Sequence, residues 1–359
     1  MLTVPDTTTG LKPEFIPTVD KIYRQICNLQ PGTKVLIITD SRTPRHVVTV
    51  FMGMAMAMGA VVSVSENELA SSPADQPSFQ WNPMVIAASR EADLIVDMAV
   101  GYAPFMAEAV ERGAQIMSPG DGTGSHHIED SLIRTVLHVD LEGLRREAVY
   151  IGNLFTQASE LRMTSEEGTD FTLNIAGYEG VPFHEFLWDY EKGTKILDWS
   201  ALPSASPGIN LPKHAGDGVI AADGFILYSD LHEYPSSPVF MTFEKGRIVD
   251  IKGNDRVLVA RLSRWLDGVT GDTGRFGPVH FNLGLNPKAR LNEHPEFERL
   301  RGAVTMGMGD SSLMVRLLPR KPMETVTSDV HWDFVTMRPT VALDGQVICD
   351  KGVVPSFKG

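Results

Sequence analysis

The stretch TSDVHWDFV, residues 327 to 335, puts His331 and Asp333 two positions apart inside an apolar, β-branched run. On a strand, residues two apart point the same way, so the imidazole and the carboxylate share one face while Trp332 and Phe334 take the other. Such a pair lets one short strand offer two ligands to one ion. A buried carboxylate is costly without a cation, a metal or several hydrogen bonds. Isolated His-x-Asp pairs are common, and the plainer reading of this stretch alone is a hydrogen-bonded pair in the core. A second imidazole shifts the balance: His280, in GPVHFNLGLNPKAR, opens another apolar strand that ends in a Gly-Leu-Asn-Pro turn. Two imidazoles and one carboxylate leave about three coordination positions open, which suits non-haem Fe(II) handling oxygen and substrate together. Zn(II) on the same three groups plus a water would support hydrolysis instead. Spacing does not choose between them, because the fold must bring His280 to the later pair.

The elements that position these residues have two textures. In the first 120 residues, KVLIITD (34 to 40) predicts a buried strand and the Met-rich RHVVTVFMGMAMAMG (45 to 59) a helix ending at a glycine that can cap it. AVVSVSE predicts a second strand. ADLIVDMAV (92 to 100), the helical PFMAEAVERG and AQIMSPGDG repeat the scheme, giving a parallel βαβ, Rossmann-like domain over residues 1 to 150. A charged amphipathic helix follows at about 139 to 160, and then short alternating runs such as TDFTLNIAGYEG and PVFMTFEKGRIVDIKG, with one more helix at 254 to 267. These predict a mixed or antiparallel α+β domain, residues 151 to 359, that carries the metal site.

Composition narrows the partners. A chain of 359 residues with 43% hydrophobic content can bury a large core. It has no run of roughly 18 apolar residues and no basic-then-apolar leader, so a soluble, cytoplasmic protein is expected. Cys27 and Cys349 lie far apart and read as plain core residues, and sixteen Met suit a reducing compartment. The net charge of -13, with no Lys/Arg block, argues against nucleic acid and anionic membranes and for a small-molecule partner. A homo-oligomer is the expectation for a large cytoplasmic enzyme.

HFNLGLNPKAR followed by DVHWDF resembles the 2,5-dihydroxypyridine 5,6-dioxygenase family, whose fold is shared with the aminopeptidase T-like metallopeptidases. The likeness covers most of the chain in element order and is specific around these two motifs. It implies Fe(II) held by His280, His331 and Asp333, and ring cleavage of a hydroxylated N-heteroaromatic with both atoms of O2 incorporated, giving an N-formylmaleamate-like product. The related peptidases place a Glu where this chain has Asn282 and a His where it has Asp329, so their two-metal set is incomplete here; a metal-dependent hydrolase is the alternative. The family's mobile His after the strand matching LIVDMAV falls on Tyr102, an acid or base with an unperturbed pKa near ~10. The family's substrate-contacting Ser falls on Gly307. Its Trp-rich loop is represented by LDWSALPSASPG, with Trp199, Ser200 and Ser204, expected to close over the ring. Asp329, on the same face as His331, is expected to orient an imidazole.

Other groups carry weaker signals. His126 and His127, beside Glu129 and Asp130, sit in a Gly-rich loop after a parallel strand, where α/β proteins bind ligands. Its glycine spacing does not match a dinucleotide fingerprint, so no NAD is expected. His184 and Glu185 among aromatics read mainly as core, His232 and Glu233 as a hairpin loop, and Arg275 and Arg290 as salt-bridge partners that could instead face an anionic substrate.

Overall fold

Continuous β-branched runs need apolar cover on both faces, and the chain supplies it by wrapping helices around a parallel sheet. The computed structural model describes residues 11–67, 81–101, 103–120, 127–184, 186–189, 192–211, 215–228, 231–291, 296–312 and 325–356. Strands Lys34–Thr39, Val61–Glu66, Leu94–Asp97 and Gln115–Pro119 all pair in parallel, with Lys34–Thr39 and Leu94–Asp97 central. The Met-rich helix spans Arg45–Ala57 and buries Val47, Phe51 and Ala55, four residues apart, on one stripe. It stops before Gly59, whose φ of +85° an L side chain would resist. The edge strand Val61–Glu66 is less covered than its sequence suggests, with Val61 and Val64 exposed.

The fifth strand of this sheet comes from beyond residue 150. Trp199–Leu202 pairs in parallel with Gln115–Pro119, so the segment read as a loop over the substrate is a buried strand. The following connector, residues 203–207, is buried throughout, and it leads into Gly208–Asn210 in a second sheet. The chain between Trp199 and Asn210 therefore joins two sheets.

That second sheet is antiparallel and seven-stranded, in the order Leu231–Glu233, Ile226–Tyr228, His331–Thr336, Val304–Gly309, His280–Leu283, Gly208–Asn210, Gly180–Val181. A third, also antiparallel, runs Arg247–Gly253, Val239–Glu244, Gly216–Ala222, Asp170–Asn174, Glu160–Thr164, Thr340–Leu343, Gln346–Cys349. Two helices beyond residue 140 begin where a carboxylate can hold a free backbone N–H. Asp140 accepts from Gly143 N at 3.0 Å before Leu141–Gln157, and Asp255 from Leu258 N at 3.1 Å before Arg256–Asp267. One apolar cluster unites both helices with the two antiparallel sheets, and Phe155, Phe281, Trp332 and Phe334 belong to it. No helix among the described residues is long and apolar enough to cross a membrane.

Trp332 is wholly buried, stands edge-on to Trp265 with centroids 6.1 Å apart, and donates from Nε1 to the Gly274 carbonyl at 2.7 Å. Trp332→Ala should cost about 3–5 kcal/mol of stability, read by denaturant unfolding. Trp332→Phe should cost less, its loss coming mainly from the orphaned Gly274 carbonyl.

Candidate metal centre

Antiparallel register explains how residues distant in sequence meet. His280 pairs with Gly307 on the neighbouring strand, and Gly307 pairs with Asp333 on the next, so the three form one row across the sheet. Directly opposed residues share a face, and His331 is on the same face two residues before Asp333. The opposite face carries Phe281, Met306, Trp332 and Phe334 into the core. The middle of the row must lack a side chain: a Cβ on Gly307 would lie 2.0 Å from His280 Nε2 and 2.4 Å from its Cδ2. His280 thus lies across Gly307 toward Asp333, with Nε2 3.1 Å from Asp333 Oδ1. The two imidazoles stack, centroids 5.4 Å apart at 26°, and His331 Nε2 is 3.6 Å from Asp333 Oδ2.

Outer partners decide which ring nitrogen bears the proton. Asn282 donates from Nδ2 to the Ser206 carbonyl at 2.9 Å, which turns its Oδ1 to His280 Nδ1 at 2.7 Å. His331 Nδ1 lies 2.7 Å from the Asp310 carbonyl. Both acceptors are oxygens without hydrogen, so both Nδ1 atoms carry the proton and both Nε2 atoms present lone pairs. His280 Nε2 therefore meets Asp333 Oδ1 as one acceptor facing another. The 3.1 Å contact is no hydrogen bond unless an additional proton enters, and Asp333 Oδ1 is a buried atom without a hydrogen-bond partner.

A cation resolves this conflict. The ligand atoms of His280, His331 and Asp333 all lie within 4.8 Å of one another, and metal bonds of about 2.0–2.2 Å put ligands at most about 4.4 Å apart. A closure of a few tenths of an ångström would suffice. Among the described residues no other group of three His, Cys, Asp or Glu side chains converges in this way. Without a metal, a proton takes the cation's place. Burial pulls the His331 imidazolium down, but the Asp333 carboxylate and the Asp310 carbonyl outweigh it and raise the pKa from 6.5 to about 9. Burial pushes Asp333 up, and the charges of His331 and His280 beside it hold it well below the usual carboxylate range instead.

Other residues singled out in the sequence lie elsewhere. Asp329 is exposed, and the atom that orients His331 is the Asp310 carbonyl. Trp199 is buried in the parallel sheet and donates to Ser118 Oγ at 3.0 Å; Ser200 is buried beside it, and Ser204 donates to the Phe183 carbonyl at 3.1 Å. Tyr102, His126 and Glu185 are outside the described residues. The turn before Tyr102 is tied to buried Asp97, which accepts from the backbone N–H of Ala99, Val100 and Gly101 at 2.8–3.0 Å. His127 is exposed, and Glu129 contacts His46 Nε2 at 2.9 Å. His184 is buried and accepts from Phe186 N at 3.2 Å. Arg275 is paired with Asp267 and Asp272, and Arg290 is exposed. Two contributors escaped the sequence reading. Asn282 had a signal as an orienting group, lying two residues from His280 on the same strand face; the Asp310 carbonyl, a backbone atom, had none.

Fold and site together define an α/β protein with a His-His-Asp cluster of the 2-His-1-carboxylate kind on an antiparallel sheet. The family model described as 2,5-dihydroxypyridine 5,6-dioxygenase matches residues 18–356, and the chain belongs to that family of dioxygenase enzymes. Its fold is similar to 2,5-dihydroxypyridine dioxygenase from Pseudomonas putida KT2440, with a TM-score of 0.73 and 18% identity over 96% of this chain and 97% of that one. It is also similar to wild-type AmpT from Thermus thermophilus, with a TM-score of 0.66 and 15% identity over 96% of this chain and 100% of that one. At these identities the likenesses speak to fold alone. None of the curated proteins matches the chain.

Gly307→Ala should push the His280 ring off its line to Asp333, an overpacking of about 1–3 kcal/mol. Metal retained after dialysis should fall on the order of tenfold while circular dichroism stays native. A second expectation concerns pH. His331 is raised above 6.5, so its contribution to metal-free stability is complete below about 6.5 and is lost as pH rises through about 9. Asp333 is depressed, so its contribution is present above about 3.9 and lost on acidification. Melting temperatures of the metal-free chain should fall as pH rises from about 7 to about 10. Divalent-metal binding at pH 7 should release a proton, with apparent affinity rising about tenfold per pH unit until about pH 9. Calorimetry in buffers of differing ionisation enthalpy counts that proton.

Proposed function

We propose that this chain is a non-haem Fe(II)-dependent, ring-cleaving dioxygenase of the extradiol-like kind. Its substrate is a hydroxylated N-heteroaromatic, 2,5-dihydroxypyridine or a close analogue, and its product is an open-chain, N-formylmaleamate-like acid. The observation that carries this reading is the convergence of two Nε2 lone pairs on Asp333, whose Oδ1 has no hydrogen-bond partner. His280, His331 and Asp333 would hold the metal and leave about three positions for reactants. When bound, Fe(II) would supply a common point of attachment for the deprotonated ring oxygen and O2 and a path for electrons between them.

The protein's own residues do the positioning. Asn282 and the Asp310 carbonyl engage the Nδ1 atoms of the two imidazoles and so aim both Nε2 atoms at one point, and Gly307 leaves room for the His280 ring. Tyr102 is the proposed carrier of the substrate's hydroxyl proton. The Trp199–Ser206 segment backs the site through the Ser206 carbonyl, a supporting role in place of the expected lid. The hydrolase alternative needs a carboxylate at Asn282, where an amide with both ends engaged stands. Two buried, unpaired cysteines suit a cytoplasmic setting, and a homo-oligomer is the proposed assembly.

Loading with Fe(II) without air, followed by oxygen-electrode assays over hydroxylated pyridines and benzenes, tests the proposal. Oxygen and ring should disappear together, and His331→Ala should lose more than the roughly 10–100-fold typical of an outer hydrogen-bond partner. Peptide hydrolysis with no oxygen uptake on any ring would replace this reading with the hydrolase.

A further inference from the structure

Three side chains on the metal-bearing face of the second sheet hold buried polar atoms that lack hydrogen-bond partners: Asp333 Oδ1, Thr305 Oγ1, and both Oδ1 and Nδ2 of Asn210. Asp333 is accounted for by the cation. Asn210 pairs directly with His280, on the side away from Gly307, so the row across the sheet reads Asn210, His280, Gly307, Asp333. Directly opposed residues share a face, which places Asn210 beside the metal ligands. Thr305 lies one row away, paired with Asn282.

An amide with a free donor and a free acceptor, both removed from water, costs free energy in the ligand-free protein unless a ligand repays it. The two atoms are adjacent and of opposite polarity, so the complement is a molecule with a ring N–H and a carbonyl or hydroxyl oxygen on neighbouring atoms. Strands about 4.8 Å apart put the Asn210 backbone two spacings, roughly 9–10 Å, from Gly307, over which the metal ligands converge. His280 stands between them in the row, so a six-membered ring that reached both the amide and the metal would have to lie over the His280 strand. A hydroxyl on its far side would then be left for the metal.

We propose that the Asn210 carboxamide is a substrate-binding residue that reads the lactam edge of a hydroxypyridine, Nδ2 donating to the ring's oxygen and Oδ1 accepting from the ring N–H. The assignment rests on the dioxygenase reading for the chemistry that follows, and on the sheet register and the unpartnered amide for the binding itself. It makes ring nitrogen a recognition element, because a carbocycle leaves the amide acceptor unpaired.

The test is anaerobic calorimetric titration of the full chain, Fe(II)-loaded and metal-free, with 2,5-dihydroxypyridine and with 1,4-dihydroxybenzene, alongside oxygen uptake. Wild type should bind the pyridine more tightly by on the order of 10–100-fold, the scale of one or two net hydrogen bonds. Asn210→Leu should erase that preference, weakening the pyridine by on the order of tenfold more than the benzene, which loses only the bond from Nδ2, and leaving the bound iron unchanged. Asn210→Asp, which keeps the shape and loses the donor, should weaken the pyridine likewise and guards against a folding defect in the leucine variant. Equal weakening of both rings, or no change in either, would overturn the assignment. Oxygen uptake by wild type without any preference for the pyridine would leave the dioxygenase standing and remove the role of Asn210. An Asn210-dependent preference without oxygen uptake would do the reverse.

Discussion

The site depends on a steric constraint, the missing side chain at Gly307. In a sheet, neighbours in a row normally stand side by side and fill the space above their own strands. Here the middle position is bare, so the His280 ring lies across it and reaches a carboxylate two strands away. Any Cβ at that point would occupy the place of the imidazole nitrogen. A serine at 307 would contend with this placement of His280, so the glycine here supports a ligand's orientation whatever it does for substrate.

Electrostatics follows from that geometry. A carboxylate 5% exposed tolerates burial only beside positive charge. The imidazoles cannot both provide it as ordinary hydrogen-bond donors, because Asn282 and the Asp310 carbonyl have already taken their Nδ1 protons. The site must take up a proton or a metal, and the raised pKa of His331 expresses the proton's share of that demand. The supports come from distant parts of the chain: Ser206 holds Asn282, Arg299 donates to the Pro203 carbonyl at 3.0 Å, and Arg301 grips Glu147 of the helix Leu141–Gln157 at 2.7–2.9 Å. Asn286 adds a bond to the Thr135 carbonyl at 3.0 Å. The region before residue 150 and the sheet that carries the His280, His331 and Asp333 cluster are thus linked by specific polar contacts as well as apolar packing.

Period-two and period-3.6 patterns were enough to read the parallel strands, the Met-rich helix and both capped helices, because burial imposes those periods locally. His331 and Asp333 on one face came from the same rule. What could not be read is whatever depends on strand order. The return of Trp199–Leu202 to the first sheet is a long-range pairing, and its apolar residues fit a core strand and a lid equally well. The row through Gly307 is register, which no single segment specifies. Asp329 satisfied the same-face rule and yet is exposed, because it precedes the strand and the pleat no longer governs where it points.

Asn282 separates this site from a two-metal hydrolase on physical grounds. A carboxylate there would bring a second negative charge beside Asp333 and free lone pairs for another ion. An amide brings no charge, and its two ends are engaged, the oxygen by His280 Nδ1 and the nitrogen by the Ser206 carbonyl. Rotating the amide toward a second metal would abandon both bonds and put its N–H group against the imidazole N–H. Among the described residues no other cluster of ligating side chains stands nearby to compensate. The position two residues after His280 therefore works as an orienting group, which turns the Nε2 edge of the imidazole toward Asp333.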